Sequence, residues 1–379
     1  MRSVIIALIL AVNTAFADDF IGFSAYENGD YTTAYQHLIL SANDGNEEAM
    51  YLIGRMYQYG EGVNTNLEKA ISWYKKSANK NNSLAQLSLG FLYDSGSGVK
   101  QDFKQAFNWY MKAAEQGNPI AERNVGLMYA TGEGVSLDEK KAFEWFKKSA
   151  EKGYDKAQVN LGYQYLMGYG VKKSVKQAHY WYQKAALQGD QQGQYSLALL
   201  YSGEYGIPAD PKATAYWLEQ AANQGHTNAQ AYLGYQYLIG EGVPSDYSKA
   251  AYWFQHSAKN GNPFSQAQLG QLYLSGEGVD KDYQQAAYWF GKAADQNFPM
   301  AQGKLGYLYA VGTGVTKDQI KAFAWLKLSA DNEYEQAQKD LERLLPQLSA
   351  AERQEGEEQY KALKARMKTS SDNFNRQRD

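Results

Sequence analysis

All eight tryptophans of this chain, Trp73, Trp109, Trp145, Trp181, Trp217, Trp253, Trp289 and Trp325, stand 36 residues apart. A fixed period of that length means an array of small units, each burying its apolar face only against its neighbours. The same ruler finds a small residue at Ala49, Ala85, Ala121, Ala157, Gly193, Ala229, Ser265, Ala301 and Ala337, without one insertion or deletion. Eight full units therefore run over residues 46–333.

Each unit follows A-x-x-x-L-G-x-x-Y-x-x-G-x-G-V-x-x-D-x-x-K-A-x-x-W-Y-x-K-A-A-x-x-G. Its first half places Ala121, Val125, Gly126 and Tyr129 on one stripe of a helix, here called helix A. Its second half does the same with Ala142, Trp145, Phe146, Ser149 and Ala150, giving helix B. The Gly-x-Gly-Val link between them ends helix A with a residue free to turn left-handed. Three residues after the valine or isoleucine come Asn66, Asp102, Asp138, Ser174, Asp210, Asp246, Asp282 and Asp318, all N-cap formers, so helix B starts there in every unit. Small residues beside the leucine position, Gly54, Gly90, Gly126, Gly162, Ala198, Gly234, Gly270 and Gly306, predict close approach of helix B. A glycine inside a helix costs about 1 kcal/mol relative to alanine, which eight-fold recurrence ties to packing.

This pattern resembles the Sel1-like repeat, a relative of the tetratricopeptide repeat with a longer interhelix loop. The resemblance implies an all-α fold, a right-handed superhelical α-solenoid of helix-turn-helix units. It also implies an adaptor or scaffold role, exported bacterial members including host-interaction and cell-envelope factors. Some secreted relatives carry a disulfide in each repeat, whereas this chain has no cysteine. The fifth unit departs from the pattern with Leu197-Ala198 for Leu-Gly and Ser202-Gly203-Glu204-Tyr205-Gly206-Ile207 in its loop, predicting a locally reshaped link.

The ends differ from the units. Arg2, the nine-residue apolar run Val4 to Val12 and Ala15-Phe16-Ala17 have the order of a secretory signal peptide over residues 1–17, with a mature start near Asp18. The run is too short for a bilayer core that needs about twenty residues, and no later segment is apolar enough to cross one. The expectation is export, to the periplasm or beyond the cell. Residues 18–45 keep phase with helix B through Asp30, Ala34, Ser41 and Ala42 and read as capping helices. Residues 334–368 read as a partial repeat and a final cap, in which Pro346 ends a helix and Ser349-x-x-Glu352 opens the last one as a capping box. Tyr360, Leu363 and Met367 make a thin apolar stripe there, and residues 369–379 read as a disordered tail.

The chemistry-bearing residues do not converge. The four histidines, His37, His179, His226 and His256, occupy unrelated repeat positions and form no metal-ligand spacing. The Gly-Glu-Gly loops follow helices rather than strands, unlike a phosphate loop. Their glutamates, such as Glu133 and Glu241, march along one edge rather than pairing across a cleft. No catalytic, cofactor or metal site is predicted, and a formal charge of −3 is too small to draw in nucleic acid.

By analogy with tetratricopeptide repeats, helix A lines the concave face, and its free positions lie two before, two after and five after the leucine. In the middle units these include Val159, Tyr163 and Leu166, then Tyr195 and Leu199, then Tyr235 and Leu238, then Gln271. Tyr163, Tyr235 and Tyr307 recur every 72 residues, with Phe91 in the same phase. Asn124 and Asn160 could bond an extended peptide backbone. The rings either anchor a protein or peptide partner or pack laterally between neighbouring helices A. Peptidoglycan is the alternative ligand, since rings stack on sugars as on peptides. The sequence leaves the oligomeric state open.

Overall fold

The computed structural model describes residues 19–376, with side-chain surroundings through Met367, so the expected signal segment lies outside the described residues. The chain divides into two compact units, one ending at Gln188 and the other beginning at Gly189. Every element among the described residues is helical.

In the first unit, residues 19–27 form α1 and Tyr31–Asn43 form α2. Four A/B pairs follow: α3 (Glu47–Tyr59) with α4 (Leu67–Asn79), α5 (Ser83–Ser95) with α6 (Phe103–Glu115), α7 (Pro119–Thr131) with α8 (Glu139–Glu151), and α9 (Asp155–Met167) with α10 (Val175–Leu187). The second unit holds α11 (Gln191–Tyr201) with α12 (Pro211–Asn223), α13 (Thr227–Ile239) with α14 (Tyr247–Lys259), α15 (Pro263–Ser275) with α16 (Tyr283–Asp295), and α17 (Pro299–Val311) with α18 (Gln319–Asp331). It closes with α19 (Glu335–Leu344), a 3-10 turn at Leu345–Gln347 and α20 (Ala350–Arg376). Helix α20 runs to Arg376, past Lys368, where the sequence reading ends the capping helix, because no proline or glycine follows to stop it.

The link of the third repeat shows why the motif folds as it does. Gly132 closes α7 with φ 79° and donates its N–H to Met128 O at 2.9 Å. Asp138 N–H then donates to Tyr129 O at 2.9 Å, so the motif tyrosine shuts the link through its backbone. The Asp138 side chain accepts from Lys141 N–H at 3.0 Å and starts α8. All eight helices B carry this cap, at 2.9–3.3 Å, each worth about 1 kcal/mol. The second link glycine, Gly134, has φ 71°, and a Cβ there would lie 2.2 Å from Phe103 O of the preceding repeat. That contact locks one repeat onto the last.

Inside each pair the small residue of helix A faces a large one of helix B. A Cβ on Gly126 would meet the Phe146 ring at 2.7 Å, and the same holds for Gly54 with Tyr74, Gly90 with Tyr110, Gly162 with Tyr182 and Gly234 with Phe254. The residue after each tryptophan is thus the fully buried one, whereas Trp73, Trp109, Trp145 and Trp217 are only half-buried. In the fifth repeat Ala198 replaces the glycine and Leu218 the ring, and both are fully buried. The bulk moves from one helix to the other. Its link is reshaped as the sequence predicts: α11 has 11 residues against 13 in the other helices A, and Gly203 and Gly206 carry the positive φ.

A ladder of buried glutamines ties repeats together, and the consensus does not advertise it. Gln86, Gln158, Gln230, Gln266 and Gln302 each donate to the carbonyl eight residues earlier at 3.1–3.3 Å. The third repeat substitutes an ion pair, Lys152 donating to buried Glu122 at 2.6 Å. At the far end, Ser349 and Glu352 exchange capping-box bonds. Tyr360 and Met367 are buried in one cluster with Phe290 and Trp325, so α20 covers the last repeats.

Candidate functional site

The position two residues after the helix-A leucine faces outward. In the first unit it holds Arg55, Phe91, Leu127 and Tyr163, and in the second Leu199, Tyr235, Gln271 and Tyr307. Phe91, Tyr163 and Tyr307 are each 46% exposed and Tyr235 is 37% exposed, on helices whose leucine and glycine neighbours are buried. Each of three rings has one edge contact: Phe91 with Tyr110 at 5.5 Å, Tyr163 with Tyr169 at 6.0 Å, and Tyr235 with Phe264 of the following helix A at 5.9 Å. Only the last is lateral packing between helices A, and all of them leave ring surface to solvent.

The remaining predicted residues divide. Val159, Tyr195, Leu199, Leu238 and Gln271 are half-buried, Tyr195 because His226 stacks on it at 4.4 Å. Leu166 is buried, correcting its placement on the free face. Asn124 is also buried, and the Arg123 guanidinium donates to its Oδ1 at 3.5 Å. Asn160 accepts from Arg123 Nε at 3.0 Å. The side-chain oxygens of both asparagines are therefore taken by Arg123, while Asn124 Nδ2 is buried without a hydrogen-bond partner.

Cavities adjoin the outward rings. In the first unit one of about 300 Å³ is lined by Arg55 and Phe91 together with Tyr51 and Tyr59. In the second, Tyr307 lies between cavities of about 430 and 500 Å³, both bordered by Asp340 and Arg343.

A second set of rings escaped the sequence reading. Tyr180 in the first unit, and Tyr216, Tyr252 and Tyr288 in the second, precede their tryptophans on helix B, about half exposed. Each meets its tryptophan edge-on at 4.9–5.0 Å. Their 36-residue spacing was the available signal. In the first three repeats lysines cover the tryptophans instead, Lys76, Lys112 and Lys148 lying 3.8–4.3 Å from the ring centres.

The titratable groups have structural occupations. Burial lowers the pKa of His226, whose Nδ1 accepts from Ala229 N–H at 3.1 Å as a helix cap. Burial and then the Asp94 carboxylate push the Tyr110 hydroxyl up. Among the described residues no group of three or more His, Cys, Asp or Glu side chains is placed to hold a metal ion. No described helix is long and apolar enough to cross a membrane.

Paired helices at a 36-residue period, glycine-closed links and small-to-large interhelix packing define a helical repeat protein. The family comparison assigns the repeat type: Sel1 repeats match residues 47–82, 83–118, 119–154, 155–190, 191–226, 227–262, 263–298 and 299–334. This chain belongs to the Sel1 repeat family. A Sel1 repeat protein from Oxalobacter formigenes is 34% identical with a TM-score of 0.60, over 82% of this chain and 89% of that one. A protective antigen present in uropathogenic Escherichia coli strains, with an SLR fold, is 28% identical with a TM-score of 0.56, over 94% of this chain and 85% of that one. A comparison with curated proteins gives no match.

Proposed function

We propose that the protein is an exported, non-enzymatic scaffold that binds a protein or peptide partner through the outward register of its helices A. The observation that carries this is the exposure of Phe91, Tyr163, Tyr235 and Tyr307 at one repeat position. Nothing in the fold requires a large ring there, since Leu127 and Gln271 serve the same position in other repeats. Binding energy at protein interfaces concentrates in a few anchor residues, among which tyrosine is enriched. The amino-terminal segment supports export, and amino-terminal sequencing of protein from the native host tests it, with a start near Asp18 expected. For binding, the mature chain and a Tyr163→Ala, Tyr235→Ala variant are compared by affinity capture from envelope and host-cell extracts at matched salt. A partner kept by the first and lost by the second is expected. Equal capture by both refutes the helix-A reading.

A second reading, binding of peptidoglycan, is favoured by the Tyr216, Tyr252 and Tyr288 series on helices B, whose exposed faces suit sugar stacking. Co-sedimentation with purified peptidoglycan, lost when the three tyrosines become alanine, is its test. No sedimentation of the parent chain disposes of it.

A further inference from the structure

We propose that the cavity between α3 and α5 is a subsite for an acidic side chain of an extended peptide. The inference rests on the helix-A reading and names the chemistry of one position within it. In the first repeat the outward register carries Arg55 where four later repeats carry rings, and the ring of the next repeat, Phe91, lines the same cavity of about 300 Å³. That is the lower end of the range for ligand pockets, room for a side chain rather than a whole peptide. Tyr51, Tyr59, Gln58 and Ser88 form other walls, and Arg55 is the one charged residue in the lining.

The fork of Arg55 is only partly engaged by its own chain. Glu61 lies 3.7 Å from one terminal nitrogen and is itself held by the Tyr26 hydroxyl at 2.7 Å. Arg55 Nε is buried without a hydrogen-bond partner, and the Tyr51 hydroxyl also reaches the guanidinium, so a ligand would meet the terminal nitrogens. The guanidinium lies 5.7–5.8 Å from the Tyr26 and Tyr59 ring centres, an arrangement that fixes its direction and keeps its charge. Gln58 Oε1 accepts from the Tyr74 hydroxyl at 2.6 Å, which orients the amide and leaves its N–H groups as donors. The cavity therefore offers a cation, amide and hydroxyl donors and aromatic faces, and its lining contains no carboxylate. A glutamate side chain matches that set: its methylenes lie on the rings of Phe91 and Tyr51 while its carboxylate meets the guanidinium.

The test uses the full mature chain and solution pools of acetylated, amidated octapeptides, randomised except for one fixed central residue. The Glu-fixed pool is expected to be retained about tenfold better than the Gln-fixed pool, the discrimination that one charge-assisted pair supplies, with the ratio falling as salt rises. In Arg55→Gln the ratio should fall to about one while Phe- and Leu-fixed pools remain bound, which also shows that the variant is folded. Arg55→Lys should restore part of the preference. Equal retention of Glu and Gln pools by the parent, or a Glu preference that survives Arg55→Gln, overturns the subsite while leaving the helix-A reading standing. Stronger retention of free-acid pools than of any amidated pool moves the ligand to a chain terminus and overturns the side-chain assignment. Retention of no pool at all removes the helix-A reading with it.

Discussion

The close approach of helix B to helix A sets a measurable penalty at Gly234. A Cβ added there would lie 2.8 and 2.9 Å from two carbons of the Phe254 ring, closer than real contacts allow, and Phe254 is fully buried with nowhere to retreat. Alanine in place of glycine stabilises a helix by up to about 1 kcal/mol, while forcing a methyl group into a packed core costs about 1–3 kcal/mol. The net expectation for Gly234→Ala is a loss of about 1 kcal/mol, or about 2–4 °C in Tm for a body of this size. Phe254→Leu alone should cost about 1–1.5 kcal/mol by loosening the same contact. Together the two substitutions recreate the Ala198–Leu218 pairing of the fifth repeat, where both residues are fully buried, so they should cost less than their sum by about 1–2 kcal/mol. Gly270→Ala is the graded control, because its Cβ would be 3.0–3.1 Å from the Phe290 ring and the loss should be smaller. Urea and thermal melts of the mature chain, with amide exchange in α13 and α14, measure all four variants, since a repeat array need not unfold in one step. Gly234→Ala melting at or above the parent temperature, or costs that add without coupling, would show that the glycine is not there for packing.

Two further substitutions test polar contacts. His226 caps α13 through an unprotonated Nδ1, and burial holds its pKa below the ordinary 6.5. The folded state thus binds fewer protons than the unfolded one, and the cap's contribution is full above about pH 6.5 and lost as pH falls through the lowered folded value. Melts from pH 7.5 to pH 5 should show the parent losing about 1 kcal/mol relative to His226→Asn, which does not titrate and supplies the cap found at Asn82, Asn118 and Asn262. Parallel pH curves would exclude the cap as the cause. At the Glu122–Lys152 pair, Lys152→Ala should cost about 1–3 kcal/mol, discounted because the lysine is partly exposed. Glu122→Gln with Lys152→Gln, which installs the pairing seen at Gln158 and Gln188, should stay within about 1 kcal/mol of the parent, as urea melts would show.

The legibility of this chain follows from which interactions are periodic. Helix A, its glycine stop, the Asp138-type cap and the small residue facing helix B recur at fixed spacing, and each has a local cause that sequence displays directly. The tryptophan signalled the period and in half the repeats the core, since Trp181, Trp253, Trp289 and Trp325 are buried, but the fully buried partner of the helix-A glycine is the residue after it, as Phe146 shows. The ladder glutamines recur at the same period, as Gln230, Gln266 and Gln302 show, but their acceptors are backbone carbonyls, which leave no trace in composition. Leu166 and Asn124 were misplaced for a related reason. A helical wheel gives an angle, whereas burial at the edge of a helix depends on what the neighbouring elements place there.

A strict array also separates what serves packing from what does not. At two close contacts substitutions within this chain come in matched pairs, Ala198 with Leu218 and Glu122 with Lys152, whereas Leu326 replaces the ring opposite an unchanged Gly306. The outward register of helix A follows another rule. It holds Arg55, Phe91, Leu127, Tyr163, Leu199, Tyr235, Gln271 and Tyr307, a series that differs in charge, size and polarity while the leucine and small residue before it hardly change. Packing alone would tolerate a uniform residue there, so the variation specifies a sequence of unlike surfaces along the repeats. If so, exchanging Arg55 and Tyr163 should leave the melting profile nearly unchanged and still abolish retention of a peptide selected on the parent chain. Unaltered retention would mean that the outward register carries no positional information.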